Sequence, residues 1–361
     1  MSEQSYAHAS NIFLEKLKEL PIEYCYLIVF HFSKNNLSYL RAWANSLPII
    51  GIISIPYSEQ TEVKEEISRY AKVYSPNLEN IPGMIINICQ ENSDKKIILI
   101  EIGGYSSTIA DKLSNVVLAV EDTARGHERF RENEQKLTYP VVSIARTEGK
   151  KMEDKMVGRA IAESTALTVG RLSSEIKDKN VLVMGYGGVG NATAKALKNT
   201  AASVMVYDPK PELIETARAE NFNVPDRLDA IKSAEIIVGC SGHQSIQFED
   251  ISRLKQNALL ISGSSRQVEF PYDKLIPFRD SSFNHELIEK FSFEGKSFCV
   301  AYKGQPINFY FDIGLGEVFD IPMTLLVQSI IWGLNNSLDR KLYDLPEKQV
   351  QEVISKLDTH F

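Results

Sequence analysis

The sequence predicts an α/β protein made of two doubly wound parallel-sheet domains of Rossmann type. Three observations carry that prediction. Short runs rich in Ile and Val alternate with amphipathic stretches through the first 150 residues. Near residue 151 the alternation gives way to a long helical stretch, and then it restarts. The restart carries a glycine-rich strand–helix junction, "VLVMGYGGVGNATAKAL" from Val181 to Leu197, in mid-chain. At 361 residues the chain is long enough for two or three domains with sizeable cores.

In chain order, a helical stretch at 10–19 leads into the apolar run "YCYLIVF" (24–30). "PIIGIIS" (48–54), "KIILIEI" (96–102), "NVVLAVE" (115–121) and "PVVSIA" (140–145) have the same character. They are near-continuously apolar, as parallel strands covered on both faces are. Helical stretches at 34–46, 59–72 and 77–90 separate them. Such alternation builds a doubly wound sheet. Residues 151–176 hold no proline and only Gly158 and Gly170, which suits a connecting helix. From residue 180 the strands resume, with "SVMVYD" (203–208), "EIIVGC" (235–240), "ALLISG" (258–263) and "FCVAY" (298–302). The apolar helix "PMTLLVQSIIWGL" (322–334) has Asp320 as its expected N-cap and Pro322 in its first turn. A charged helix follows it.

Composition narrows the function. With 43% hydrophobic and 24% charged residues the chain is globular. A net charge of -7 argues against a nucleic-acid partner. Cys25, Cys89, Cys240 and Cys299 form no C-x-x-C pair and sit beside apolar runs. Buried thiols in a reducing cytoplasm are expected there, not disulfides or a metal site. No charged n-region leads into an apolar stretch at the start, so no signal peptide is expected. No uninterrupted apolar run reaches the roughly 18 residues of a membrane helix, so no membrane partner is expected either.

Gly185, Gly187 and Gly190 form G-x-G-x-x-G between a strand and a helix, with an acidic residue, Asp208, closing the next strand. The first glycine permits the tight turn, the second lets backbone approach a pyrophosphate, and the third lets helix and strand pack. The helix start, through Gly188 and Val189, then offers free N–H groups and a positive dipole end to the anion. Asp208 suits the hydroxyls of an adenosine ribose and repels a 2′-phosphate. NAD is therefore favoured over NADP, with Lys210 tempering the preference. A mid-chain cofactor junction implies that an earlier domain supplies the substrate side.

Several segments resemble the S-adenosylhomocysteine hydrolase family. "GRLSSEIKDKNVLVMGYGGVGNATAKAL" is similar to that family's entry into its NAD domain. "VEDTARGHERF" (120–130) resembles its E-E-T-T-T-G-x-x-R segment, "IEIGGYSST" (100–108) its D-D-G-G-D-x-T loop, and "LPEKQVQEVISKLD" (345–358) its late L-P-K-x-L-D-E-x-V helix. The resemblance implies an NAD domain at 164–319 inserted into a substrate domain formed by 1–163 and 320–361. It implies tightly held NAD, a small-molecule substrate and a homo-oligomer, with a dimer the first expectation. The implied chemistry starts when NAD oxidises a ribose hydroxyl, so that the neighbouring C–H becomes acidic.

The resemblance also implies site residues. Lys150 and Asp154 match its Lys-x-x-x-Asp, which addresses ribose hydroxyls; a lysine of lowered pKa would take the hydroxyl proton there. Read without the family, the two are a surface ion pair in "EGKKMEDK". Thr123 matches a threonine that touches cofactor and nucleoside, and Glu121 and Asp122 match its two acids. "EDT" also reads as a helix N-cap. His31 stands where the family keeps a strand-end histidine, and it also fits a satisfied structural role. Asn308 matches an asparagine near the carboxamide. Ser241, Gly242 and His243, after a strand of the second domain, lie where the nicotinamide ring is expected. His243 is a proton donor there, or a plain turn residue.

Departures from the family cluster on proton transfer. Ile102 replaces the aspartate before its glycines, and Ser54 stands near where it keeps Cys-Asn. "GSSRQVEF" has lost a histidine around Ser264 or Ser265, and Glu317 stands about where a late histidine is expected. The family's Lys/Tyr-containing tail has no counterpart before Phe361. The NAD cradle stays while the water-handling groups go, which favours redox chemistry on an altered substrate over adenosylhomocysteine hydrolysis. A non-catalytic NAD-binding regulatory protein is the second reading. A D-2-hydroxy-acid dehydrogenase relative using Arg266 and Glu269 is the third.

Overall fold

A computed structural model describes residues 6–264 and 266–357. Ser265, where a family histidine was expected, and Asp358 of the late helix motif lie outside them. The chain forms two compact units, Met1–Glu153 with Gly314–Phe361, and Asp154–Ile313. The first crossing falls earlier than the 163/164 expected from the resemblance. From Asp154 onward the connecting helix belongs to the second unit: a Cβ on Gly158 would stand 2.4 Å from that of Ala192, so the helix packs there backbone to backbone.

The first unit runs α1 (Asn11–Lys18), β1 (Cys25–Phe30), α2 (Lys34–Ser46), β2 (Ile49–Ser54), α3 (Thr61–Ile67), β3 (Val73–Tyr74), α4 (Ile81–Glu91), β4 (Ile97–Glu101), β5 (Val116–Glu121), α5 (Ala124–Glu132) and β6 (Val141–Ser143). The connecting helix α6 (Glu148–Arg171) starts in it. Its seven strands lie in the order β13-β6-β5-β4-β1-β2-β3, all parallel, where β13 is Leu342–Asp344. All five residues of β4 are buried, as a strand covered on both faces requires. The chain moves from β1 to β2 on one side and returns to β4 on the other. The crevice of a doubly wound sheet therefore opens at the carboxyl ends of β1 and β4.

The second unit runs β7 (Asn180–Met184), α7 (Gly188–Lys198), β8 (Ser203–Tyr207), α8 (Pro211–Ala219), α9 (Arg227–Ser233), β9 (Ile236–Gly239), β10 (Ala258–Ser262), α10 (Tyr272–Leu275), β11 (Ile288–Phe293), β12 (Lys296–Ala301) and α11 (Ile307–Phe311). Its order is β11-β12-β10-β9-β7-β8, parallel except for the β11–β12 hairpin. Here the crevice lies between β7 and β9, beyond the glycine junction.

In the first unit α12 (Asp320–Leu334) packs on β5 and β6, and α13 (Glu347–Leu357) packs on α12. Asp320 is the first residue of α12 and not its cap. Its carboxylate accepts from the Ser10 N–H (3.0 Å), the Ser10 hydroxyl (2.6 Å), the Tyr39 hydroxyl (3.0 Å) and the Thr324 hydroxyl (3.2 Å), tying α1 and α2 to the helix. The segment Glu317–Leu334, interrupted by the charges of Glu317 and Asp320, is long and apolar enough by length and composition to cross a membrane, with mean hydropathy 1.3. It is 72% buried, as the central helix of its unit is. The cysteines are free thiols; Cys89 is buried and the other three are half-buried, less enclosed than expected.

Candidate functional site

The second unit contains a dinucleotide-type cradle. Gly185 adopts φ +98°, a left-handed turn that suits glycine. A Cβ on Gly190 would stand 2.0 Å from the Gly185 carbonyl oxygen, so only glycine lets α7 close on β7. A Cβ on Gly187, the residue preceding α7, would meet nothing within 4 Å. The backbone there faces open space at a helix N-terminus, which fits an approaching pyrophosphate. Val189 packs on the core behind the loop. Asp208 accepts the Tyr186 N–H through Oδ2 (2.7 Å) and the Lys210 N–H through Oδ1 (2.9 Å). It is thereby held against the loop, and each oxygen has capacity for a second donor such as a ribose hydroxyl. Tyr186 anchors the loop from behind, its hydroxyl donating to Glu220 Oε2 at 2.6 Å.

Opposite the cradle, the loop after β9 is organised by Glu269, which is fully buried. Its Oε1 accepts the N–H groups of Ser241 (2.7 Å) and Gly242 (2.8 Å) and pairs with the Ser264 hydroxyl; its Oε2 accepts the Ser241 hydroxyl (2.9 Å). The N–H groups of Ser241 and Gly242 are thus committed to a side chain, which limits the cofactor contact expected of them. Burial raises the Glu269 carboxyl above its usual range, against the pull of the serine hydroxyls. His243 is exposed, and Asn308 is half-buried on α11. Asp154 lies beside α7: a Cβ on Gly188 would stand 2.0 Å from its Oδ2.

In the first unit, charged and polar side chains gather where β1, β2, β4 and β5 end. Thr123 caps α5, its hydroxyl oxygen accepting the Gly126 N–H at 3.1 Å, and the preceding Asp122 is buried. Lys150 donates to Asp122 Oδ2 at 2.9 Å and also pairs with Glu153. The expected lowering of the Lys150 pKa does not occur. Burial pulls the amine down, but Asp122 and Glu153 outweigh it and raise it, so Lys150 is an ammonium. His31 shows the opposite shift, pushed down to about 3 by burial and by the charge of Lys150. It is a neutral imidazole, its Nδ1 at 2.6 Å from the Ser58 hydroxyl.

One atom in this group stands out. Asp122 Oδ1 is buried and has no hydrogen-bond partner among the described residues. A carboxylate oxygen in that state calls for a donor. Ile102 is 5% exposed and apolar, so it offers no second acid next to it. Ser54 pairs with Glu59, which Lys64 also contacts at 3.0 Å. Glu317 is exposed on a short turn before α12. Sequence reasoning named Asp122 only as a family match and missed Glu153. The i,i+3 spacing of Lys150 and Glu153 was the available signal for that pair.

Comparison with known proteins agrees with a dinucleotide-binding second unit. Residues 163–281 match the family described as S-adenosyl-L-homocysteine hydrolase, NAD binding domain. An adenosylhomocysteinase of Thermotoga maritima is 25% identical over 84% of this chain and 78% of its own length. An S-inosyl-L-homocysteine hydrolase of Methanothermobacter thermautotrophicus is 25% identical over 65% of this chain and 58% of its own length. Among solved structures, a dipicolinate synthase polypeptide from Bacillus halodurans superposes with TM-score 0.52 at 10% identity, covering 86% of this chain and 99% of that one. A D-3-phosphoglycerate dehydrogenase-type oxidoreductase of Ralstonia solanacearum gives 0.50 at 11%, covering 88% and 96%. These two likenesses concern the fold.

Proposed function

We propose that this chain, a divergent relative of the adenosylhomocysteinases, is an NAD-dependent enzyme acting on a secondary hydroxyl of a nucleoside-like or other polar metabolite. Gly185, Gly187, Gly190 and the start of α7 would hold the pyrophosphate, and Asp208 the adenosine ribose. When bound, the coenzyme supplies a hydride acceptor. The substrate hydroxyl would donate to Asp122 Oδ1, the buried oxygen that has no partner, and this observation carries the reading. Asp122 is the group suited to take the hydroxyl proton. Lys150, already an ammonium, cannot act as that base. It holds positive charge beside the reacting oxygen through its hydrogen bond to Asp122. The neutral His31 adds a hydrogen-bonding edge without adding charge.

Ile102 and the Ser54–Glu59 pair support redox chemistry over hydrolysis, because the groups that would move protons in the later hydrolytic steps are replaced. The test is to quantify NAD that copurifies, then add nucleosides and 2-hydroxy acids one at a time and follow NADH absorbance. Asp122→Asn is expected to abolish NADH formation while NAD stays bound. Silence from the wild type across the panel, with NAD bound, would turn the assignment toward a regulatory NAD-binding protein. Failure to bind NAD would remove both readings.

A further inference from the structure

Two buried carboxylates remain outside the proposed reaction. Glu101 ends β4 and Glu121 ends β5, paired in register and both fully buried. Among the described residues, every hydrogen-bond partner of Glu121 is a donor. Its Oε1 accepts the N–H of Gly103 (3.0 Å), the N–H of Thr123 (2.6 Å) and the Thr123 hydroxyl (2.6 Å); its Oε2 accepts the N–H of Gly104 (2.8 Å). The enclosure is tight: a Cβ on Gly126 would stand 2.1 Å from Glu121 Oε1.

Glu101 has different company. Its partners are the Ser106 N–H, at 3.2 Å from Oε2, and the Ser106 hydroxyl, which pairs with Oε1 and also meets the Tyr139 hydroxyl at 3.2 Å. A hydroxyl can give or accept a proton, whereas a backbone N–H can only give one. Glu101 can therefore be protonated toward Ser106 without losing its partners, whereas a proton on Glu121 Oε1 toward the Thr123 hydroxyl would meet the Gly103 and Thr123 N–H groups at the same oxygen. Two carboxylates enclosed side by side do not both ionise readily.

We infer that the pair holds one proton at neutral pH, that Glu101 carries it toward Ser106 Oγ, and that the anionic Glu121 is the positioning residue that fixes the Gly103–Gly104 loop and the Asp122–Thr123 turn. Burial raises both carboxyls, and a charge on Glu101 would raise Glu121 further, so the two do not stay ionised together. The other charged or titratable groups facing the pair are few. Arg129 of α5 donates to the Gly103 carbonyl oxygen at 2.6 Å, lies 5.2 Å over the Tyr105 ring and draws Glu101 down. Tyr139 approaches from the segment before β6. The Asp122–Lys150 pair follows Glu121 along the chain. The positioning role rests on the proposed function of Asp122; the proton assignment does not.

The test uses the full chain without coenzyme or substrate, so it stands or falls apart from the functional reading. Thermal unfolding of wild type, Glu101→Gln and Glu121→Gln is followed from pH 5 to pH 9. A raised folded-state pKa gives stability that is complete below the unfolded value and lost as pH rises through the folded one. Wild-type Tm is expected to fall on the alkaline side, and Glu101→Gln to flatten that fall while matching wild type at pH 7. Glu121→Gln sets amide N–H groups against backbone N–H groups and is expected to lower Tm at pH 7 by roughly 5 °C. The infrared band of a protonated carboxyl is expected at pH 7 in wild type and not in Glu101→Gln. The Lys150 ammonium signal in NMR is expected to shift in Glu121→Gln and to stay in Glu101→Gln. Equal destabilisation by the two variants, or a carboxyl band that survives in Glu101→Gln, would overturn the inference.

Discussion

Lys150 Nζ stands 2.9 Å from Asp122 Oδ2, with 10% and 6% of the two side chains exposed. Glu153 contacts the same ammonium. Removing one member of a buried pair strands the other charge, at a cost of about 3–5 kcal/mol. Lys150→Met is therefore expected to lower unfolding free energy on that order, and Lys150→Met combined with Asp122→Asn to recover part of the loss. Urea denaturation at pH 7 measures both. Because the folded pKa is raised above the ordinary lysine value, the stabilisation persists below that value and disappears only in strong alkali. A single variant as stable as wild type would mean that the pair is solvated in solution.

His31 gives the opposite pH signature. Its folded pKa is depressed to about 3, by burial first and by Lys150 second. The neutral ring contributes stability that is present above the unfolded value of about 6.5 and lost as pH falls toward the folded one. Wild-type Tm is expected to drop between pH 6.5 and pH 4, and His31→Gln, which can still reach the Ser58 hydroxyl, to drop less. Identical acid limbs for the two proteins would refute the depressed pKa.

Sheet architecture was legible in the sequence because buried parallel strands leave continuous apolar runs. "KIILIEI" became Ile97–Glu101 and "NVVLAVE" became Val116–Glu121. Strands with little apolar content were not legible. β3 has two residues, β13 carries "LYD", and β11 reads "IEKFSF". The β11–β12 hairpin did leave a trace in Glu294 and Gly295, both at positive φ. In the site, His31, Thr123 and Lys150 could be named because they follow strands or match a motif. Their electrostatics could not be, because the state of Lys150 depends on Asp122, 28 positions away. The fold, not the spacing along the chain, brings the two together. Glu121 could be named from the motif, but its pairing with Glu101 escaped notice for the same reason: their proximity is a matter of strand register.

The glycine loop separates folding from binding. Gly190→Ala places a methyl 2.0 Å from the Gly185 carbonyl oxygen, so α7 must shift away from β7. Gly187→Ala places it in open space, at φ -66°, where alanine is unstrained. Gly190→Ala is expected to cost several kcal/mol, on the order of an overpacked core, and Gly187→Ala to leave Tm unchanged. Under the proposed function, Gly187→Ala weakens NAD roughly tenfold or more, since the methyl stands where the pyrophosphate approaches and a tenfold loss needs only about 1.4 kcal/mol. Calorimetric titration with NAD reads that loss. Wild-type affinity in Gly187→Ala would place the pyrophosphate elsewhere.

Glu269 offers a test of how the loop after β9 is held. Its Oε1 serves the N–H groups of Ser241 and Gly242 together, so Glu269→Ala leaves the Ser241 N–H without that acceptor, at about 1–3 kcal/mol, and the Gly242 N–H with the Ser264 hydroxyl oxygen at 3.0 Å. Glu269→Gln keeps a carbonyl oxygen for both, and its amide can donate to the Ser241 hydroxyl oxygen. Burial raises the Glu269 carboxyl, so the stability it contributes is lost as pH rises through the folded value, and glutamine removes that dependence. Hydrogen exchange at Ser241 is the direct readout. Protection is expected to collapse in Glu269→Ala and to survive in Glu269→Gln. Equal protection in both variants would show that the loop is held by the β7–β9 packing, where the Cys240 N–H donates to the Met184 carbonyl oxygen at 2.7 Å, and not by the carboxylate.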